Sequence, residues 1–142
     1  MAEKQVLLVE DEPNIAEAIR FILTRAGWNV TVEASGAAAL ARIATLRPTA
    51  VILDLMLPGC SGLEILAELR ADADLGRTPV LMLTARGQVR DREAAAAAGA
   101  SAFLAKPFAN ADVLAALEAI AAPVLADPAL AGPALSGSGK AG

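Results

Sequence analysis

Apolar residues in this chain follow two rhythms. Val6-Leu7-Leu8-Val9, Ala50-Val51-Ile52-Leu53, Val80-Leu81-Met82-Leu83 and Ala102-Phe103-Leu104-Ala105 are short continuous runs that end in loop residues. Such runs predict strands buried on both faces, as in a parallel sheet. Trp28 to Glu33 instead alternates Trp28, Val30 and Val32 with Asn29, Thr31 and Glu33, which predicts a half-exposed strand at a sheet edge.

Between these runs the spacing changes to that of helices. Pro13 suits a first helical turn, Ile15, Ala18, Ile19, Ile22, Leu23 and Ala26 line one face, and Gly27 stops the helix. Ser35 is the expected cap of a second helix that turns Leu40, Ile43 and Leu46 inward before Pro48. Ser61 and Glu64 form a capping-box pattern for a third helix with Ile65, Leu66 and Leu69. Asp72 to Thr78 reads as a polar loop. A fourth, Ala-rich helix runs from Val89 to Ala98, with Arg90 to Glu93 as a solvated face and Gly99 at its end. Asn110 or Asp112 starts the last helix, which turns Val113, Leu114, Leu117 and Ile120 to the core and ends by Ala122.

Five strands alternating with five helices predict an α/β fold with a doubly wound five-stranded parallel sheet. With the second strand at an edge, the expected order is 2-1-3-4-5, the flavodoxin-like (βα)5 arrangement, whose ligands bind beyond the strand ends between strands one and three. The expected domain is 1–122. Residues 123–142, rich in Ala, Pro and Gly, read as a flexible tail too short to be an effector.

Composition narrows the chemistry. The 142 residues hold twelve Lys or Arg against sixteen Asp or Glu, no Tyr, three Phe and one Trp. That leaves neither a basic stripe for phosphate backbones nor aromatics for base stacking, so no direct nucleic-acid partner is expected. No signal-peptide pattern and no membrane-length apolar run appear, which predicts a cytoplasmic protein without membrane insertion. One Cys, Cys60, and no His exclude an internal disulfide and an ordinary zinc site, so any metal must be a hard cation held by oxygen. Cys60 reads as an incidental thiol.

Four of the five strands finish on polar residues: Glu10 and Asp11 after the first, Asp54 after the third, Thr84 after the fourth and Lys106 after the fifth. In a parallel sheet these ends share one rim. Clustered carboxylates repel one another unless a cation joins them, and Mg2+ suits one or two carboxylates plus phosphate oxygens. A strand-end Asp beside Mg2+, Lys106 and a Thr84 hydroxyl can attack a phosphoryl group to form an aspartyl phosphate.

Through Val9-Glu10-Asp11-Glu12, Leu53-Asp54-Leu55-Met56-Leu57-Pro58-Gly59, Leu83-Thr84-Ala85 and Lys106-Pro107-Phe108, the chain resembles the receiver domain of two-component response regulators, as a stand-alone, CheY-like domain. The resemblance covers about Lys4 to Ala121. It implies that Asp54 accepts phosphate from a sensor histidine kinase or histidine phosphotransfer protein. It further implies that Asp11, Asp54 and the Met56 backbone carbonyl hold Mg2+ with Glu10 behind them, that the Lys106-Pro107 bond is cis, and that Thr84 and Phe103 switch together. Phe103 stands where the family often has Tyr. Ser101-Ala102 replaces a frequent acidic pair and the last helix has no Lys or Arg, so the charged dimer contact of DNA-binding members is not expected.

The expected function is therefore a phosphorylation-activated signalling switch, not an enzyme, whose output is altered binding to a downstream protein through the fourth helix, fifth strand and fifth helix. Two alternatives are a binding-only pseudo-receiver, which the complete residue set disfavours, and an aspartyl phosphohydrolase, which resembles Asp-x-Asp where this chain has Met56. Met56 and Arg86 are further expected to flank the phosphoryl site and slow the entry of water.

Overall fold

β-Branched and leucine-rich runs become five parallel strands: β1 (Gln5–Val9), β2 (Asn29–Glu33), β3 (Ala50–Asp54), β4 (Val80–Thr84) and β5 (Ala102–Ala105). They form one sheet in the order β2-β1-β3-β4-β5, as the hydrophobic pattern predicts. The computed structural model describes residues 4–84 and 89–126. The helices are α1 (Pro13–Arg25), α2 (Ala39–Leu46), α3 (Gly62–Ala71), α4 (Val89–Ala98) and α5 (Asn110–Ala126).

Each continuous apolar run is divided by strand alternation between two layers. Leu7, Val9, Val51, Leu53, Val80 and Met82 join Ala39, Ile43, Ile65, Leu66, Leu69 and Ala95 on the α2–α3–α4 side. Val6, Leu8, Ala50, Ile52, Leu81 and Leu83 join Ala16, Ile19, Leu23, Val113, Leu117 and Ala121 on the α1–α5 side. Burial of each large aliphatic side chain contributes about 1.5–3 kcal/mol, so both sides of the sheet are stabilised over their whole width. β2 is the expected edge strand, with Val32 left 37% exposed. Trp28, just before β2, is buried and donates its indole N–H to Glu118 Oε2 of α5 at 3.0 Å, tying the edge to the last helix.

Three local expectations are corrected. α2 is preceded by a 3-10 turn, Gly36–Ala38, and the Ser35 hydroxyl makes no capping bond; its backbone N–H donates to Glu33 Oε2 at 3.0 Å. Residues after Asp54 are not irregular: Met56–Leu57 pairs antiparallel with Cys60–Ser61, and Gly59 turns the chain at φ +69°. The last helix does not end by Ala122. It takes Pro123 into its interior and continues to Ala126, because the proline forfeits one N–H while Val124 beyond it is buried. The packed chain therefore extends past the expected boundary at residue 122. The rest of the expected tail, 127–142, lies outside the described residues, as do Ala85 and Arg86.

Of the capping box expected at α3 the serine half is present. Ser61 Oγ accepts from the Leu63 N–H at 3.1 Å, and Asp112 reaches back to accept from the Ala109 N–H at 3.3 Å, which settles Asn110 as the first residue of α5.

Candidate functional site

Register brings the strand ends together before any side chain is considered. Val9 pairs with Leu53, so Glu10 falls beside Asp54; Thr84 pairs with Ala105, so Lys106 follows immediately. The Lys106 N–H donates to the Thr84 carbonyl at 2.6 Å and locks that corner. Alternation then sorts the side chains. Asp54 continues the Ala50–Ile52 row, Glu10 the Val6–Leu8 row and Lys106 the Ala102–Leu104 row, all on the α1–α5 side. Thr84 continues the Val80–Met82 row on the α4 side, with Phe103, whose strand neighbour is Met82.

Asp54 is 3% exposed. Its Oδ1 accepts from the Met56 N–H at 3.1 Å and its Oδ2 from Lys106 Nζ at 3.3 Å. The hairpin after β3 supplies that amide. It can fold so close only because residue 62 is glycine: a Cβ there would stand 2.3 Å from the Asp54 carbonyl oxygen. Lys106 Nζ also reaches Glu10 Oε1 at 3.4 Å, and Glu10 Oε2 accepts from the Glu12 N–H at 3.1 Å. The Lys106-Pro107 peptide is cis.

One carboxylate oxygen from each of Glu10, Asp11 and Asp54 lies within 4.8 Å of the others, with Asp11 exposed and the other two buried. One lysine faces this set. Burial pushes Glu10 up to about 7, against a lowering hydrogen bond from the Glu12 backbone, and the neighbouring Asp54 charge raises it further. Oxygen-only donors, one of them open to solvent, and an excess of negative charge fit a hard divalent ion.

Thr84 is fully buried and Phe103 half-buried, both next to the elements of the α4 side. Met56 is 58% exposed. Cys60 is a half-buried free thiol on the hairpin. Sequence reasoning missed two contributors. The Met56 amide is invisible in side-chain patterns, although Pro58-Gly59 flanked by short runs is a hairpin signal. Arg92, read as part of a solvated face, lies with its guanidinium 5.2 Å from the centre of the Phe103 ring.

The profile described as "Response regulator receiver domain" matches residues 6–118. The chain belongs to this family. It is a receiver domain of two-component, phosphorylation-based signalling, a signalling domain by class. Among curated relatives it is 42% identical over 115 residues to "Probable transcriptional regulatory protein TcrX" of Mycobacterium tuberculosis, covering 81% of this chain and 48% of that one. The receiver domain thus spans about half the length of the curated relatives it matches. Among solved structures it superposes on the receiver domain of sensor histidine kinase PA1611 from Pseudomonas aeruginosa, described with magnesium coordinated in its active-site cleft. The TM-score is 0.77 at 34% identity, over 85% of this chain and 99% of that one. The chemotaxis response regulator CheY4 of Vibrio cholerae gives a TM-score of 0.78 at 30% identity, over 84% and 99%. Among the described residues, no helix of this receiver domain is long and apolar enough to cross a membrane.

Proposed function

We propose that this receiver domain accepts a phosphoryl group on Asp54 from the phosphohistidine of a sensor histidine kinase or histidine phosphotransfer protein, and thereby changes its binding to a downstream protein. The observation that carries this reading is the setting of Asp54: a buried carboxylate at the end of the central strand, held by one amide and one lysine beside two further carboxylates. In the transfer a carboxylate oxygen of Asp54 attacks phosphorus and the P–N bond to the donor imidazole breaks. The electron pair of that bond stays on the ring nitrogen.

Each neighbour has a part. The Met56 N–H orients the Asp54 carboxylate, Lys106 offsets charge on the phosphoryl oxygens, and the Thr84 hydroxyl donates to one of them. Asp11, Asp54 and the Met56 carbonyl would hold Mg2+, with Glu10 behind them. Bound there, the ion neutralises charge shared by the carboxylates and the phosphoryl oxygens.

Thr84 and Phe103 form the switch in this reading, because they share the α4 side while Asp54 and Lys106 share the other. A hydroxyl drawn toward the phosphoryl group leaves space that the Phe103 ring can take. The α4–β5–α5 face then changes for its partner. A phosphohydrolase reading lacks its general acid, since Met56 occupies the second position after Asp54. The test is incubation with Mg2+ and acetyl phosphate: the wild type gains one phosphoryl mass and Asp54→Asn gains none. Equal incorporation by both proteins overturns the proposal.

A further inference from the structure

Helix α4 is held in different ways at its two ends. Past its C-terminus, Arg70 of α3 donates from Nε to the Gly99 carbonyl at 2.9 Å and from Nη1 to the carbonyls of Gly76 and Thr78 at 3.1 and 2.6 Å. Three charge-assisted bonds from one half-buried guanidinium make this a fixed end. Near its N-terminus the contact on β5 is of another kind: Arg92 lays its guanidinium over the Phe103 ring, 5.2 Å from the centroid.

Arg92 has little other reason to stay there. The residues three and four positions away, Gln88, Val89, Ala95 and Ala96, include no acid, so the helix offers it no ion pair. A cation in the first turns also opposes the helix dipole. The ring face is what attracts it. Phe103 in turn packs against the core on the side that carries Thr84, and only residues 85–88 separate Thr84 from the start of α4. Phe103 and Arg92 thus link the Thr84 side of the sheet to the N-terminal part of α4, while Arg70 holds the other end.

We propose that Arg92 is a positioning residue that latches Phe103: its guanidinium on the ring favours the arrangement that accompanies an unmodified Asp54 and opposes the phosphorylated one. The latch rests on the reading above, in which Thr84 and Phe103 rearrange together. It belongs to the state described, where Asp54 Oδ2 is paired directly with Lys106. Breaking it leaves the core intact, because the Arg92 side chain lies outside the core on an exposed helix face.

The test titrates Mg2+ and beryllofluoride, as a phosphoryl mimic, into the wild type, Arg92→Gln, Arg92→Lys, Phe103→Leu and the Arg92→Gln/Phe103→Leu double variant, with affinity read calorimetrically. Arg92→Gln is expected to bind about two- to fivefold more tightly, the size of an exposed cation–π contact at about 1.4 kcal/mol per tenfold. Arg92→Lys keeps a cation and stays near the wild type. In the Phe103→Leu background the effect of Arg92→Gln disappears. An unchanged or weakened affinity in Arg92→Gln, or the same gain in both backgrounds, overturns the latch alone and leaves the phosphoacceptor reading standing. A wild type that does not bind the mimic overturns both.

Discussion

The carboxylates of Glu10 and Asp54 lie within 4.8 Å of each other at the ends of neighbouring strands, and Lys106 Nζ contacts both, at 3.4 and 3.3 Å. This juxtaposition is a product of register: β1 and β3 pair Val9 with Leu53, Glu10 follows β1 and Asp54 ends β3. Among the described residues one lysine faces both buried carboxylates.

Glu10 carries the pH consequence. Its folded-state value is raised from 4.5 to about 7, first by burial and then, against the Glu12 backbone bond, by Asp54. Below about pH 4.5 the group is protonated in folded and unfolded chains alike, and its contribution to stability is fully present. As pH rises toward about 7 the unfolded chain releases the proton first, and a contribution on the order of 3 kcal/mol is lost. Glu10→Gln keeps the neutral form at every pH. In metal-free protein its stability relative to the wild type is therefore expected to rise between about pH 5 and about pH 8. Urea denaturation of both proteins at the two pH values measures this, and a constant difference contradicts it.

Lys106 is the counter-charge of the same cluster. Lys106→Met is expected to destabilise the metal-free protein above neutral pH by about 3 kcal/mol, since it leaves buried carboxylates unpaired. Excess Mg2+ should raise the melting temperature of this variant more than that of the wild type, because the ion then meets carboxylates that have lost their lysine. Equal rises in the two proteins would show that Lys106 and the ion do not answer the same charge.

Gly62 sets the closeness of the hairpin to β3. Its added Cβ would meet backbone, the Asp54 carbonyl oxygen at 2.3 Å and Leu55 Cα at 2.9 Å, so no side chain can move aside. Gly62→Ala is expected to cost about 2–3 kcal/mol or more, as overpacking against fixed backbone does. It should also weaken the Mg2+-dependent rise in melting temperature, because the Met56 amide and carbonyl move with the hairpin. A variant with wild-type stability refutes the close-packing argument.

Arg70 donates to three backbone carbonyls, those of Gly76, Thr78 and Gly99. Arg70→Met keeps the aliphatic stem and removes the donors, for an expected loss of about 3 kcal/mol in urea denaturation. Arg70→Lys should recover only part of it, since an ammonium cannot reproduce the planar fork across Gly76, Thr78 and Gly99. Full recovery by lysine would show that charge alone matters there.

The strands, their order and the acids at their ends were legible because each rests on a short-range pattern. Four apolar residues in a row signal burial on both sides, and the alternation from Trp28 to Glu33 signals an edge. What stayed hidden depends on contacts distant in sequence or made by the backbone. Val124 is buried only once α5 lies on the sheet, so Pro123 looks like a terminator in the text and is an interior residue in the fold. Ser35 resembles a cap, but its N–H is taken by Glu33 and the chain enters α2 through a tighter turn. Arg92 resembles any solvated charge until Phe103, eleven positions on, is folded beneath it. The order of Glu10, Asp11, Asp54, Thr84 and Lys106 along the chain implied a shared rim, while the division of Thr84 and Phe103 from the others appears only with the register.

The most direct test of the account is to locate the phosphoryl group. After phosphorylation with acetyl phosphate and Mg2+, borohydride reduction converts an aspartyl phosphate to homoserine, which peptide mass mapping assigns to one position. The account predicts modification at residue 54, absent from Asp54→Asn. Modification at Glu10 or Asp11, or undiminished labelling of Asp54→Asn, would contradict it.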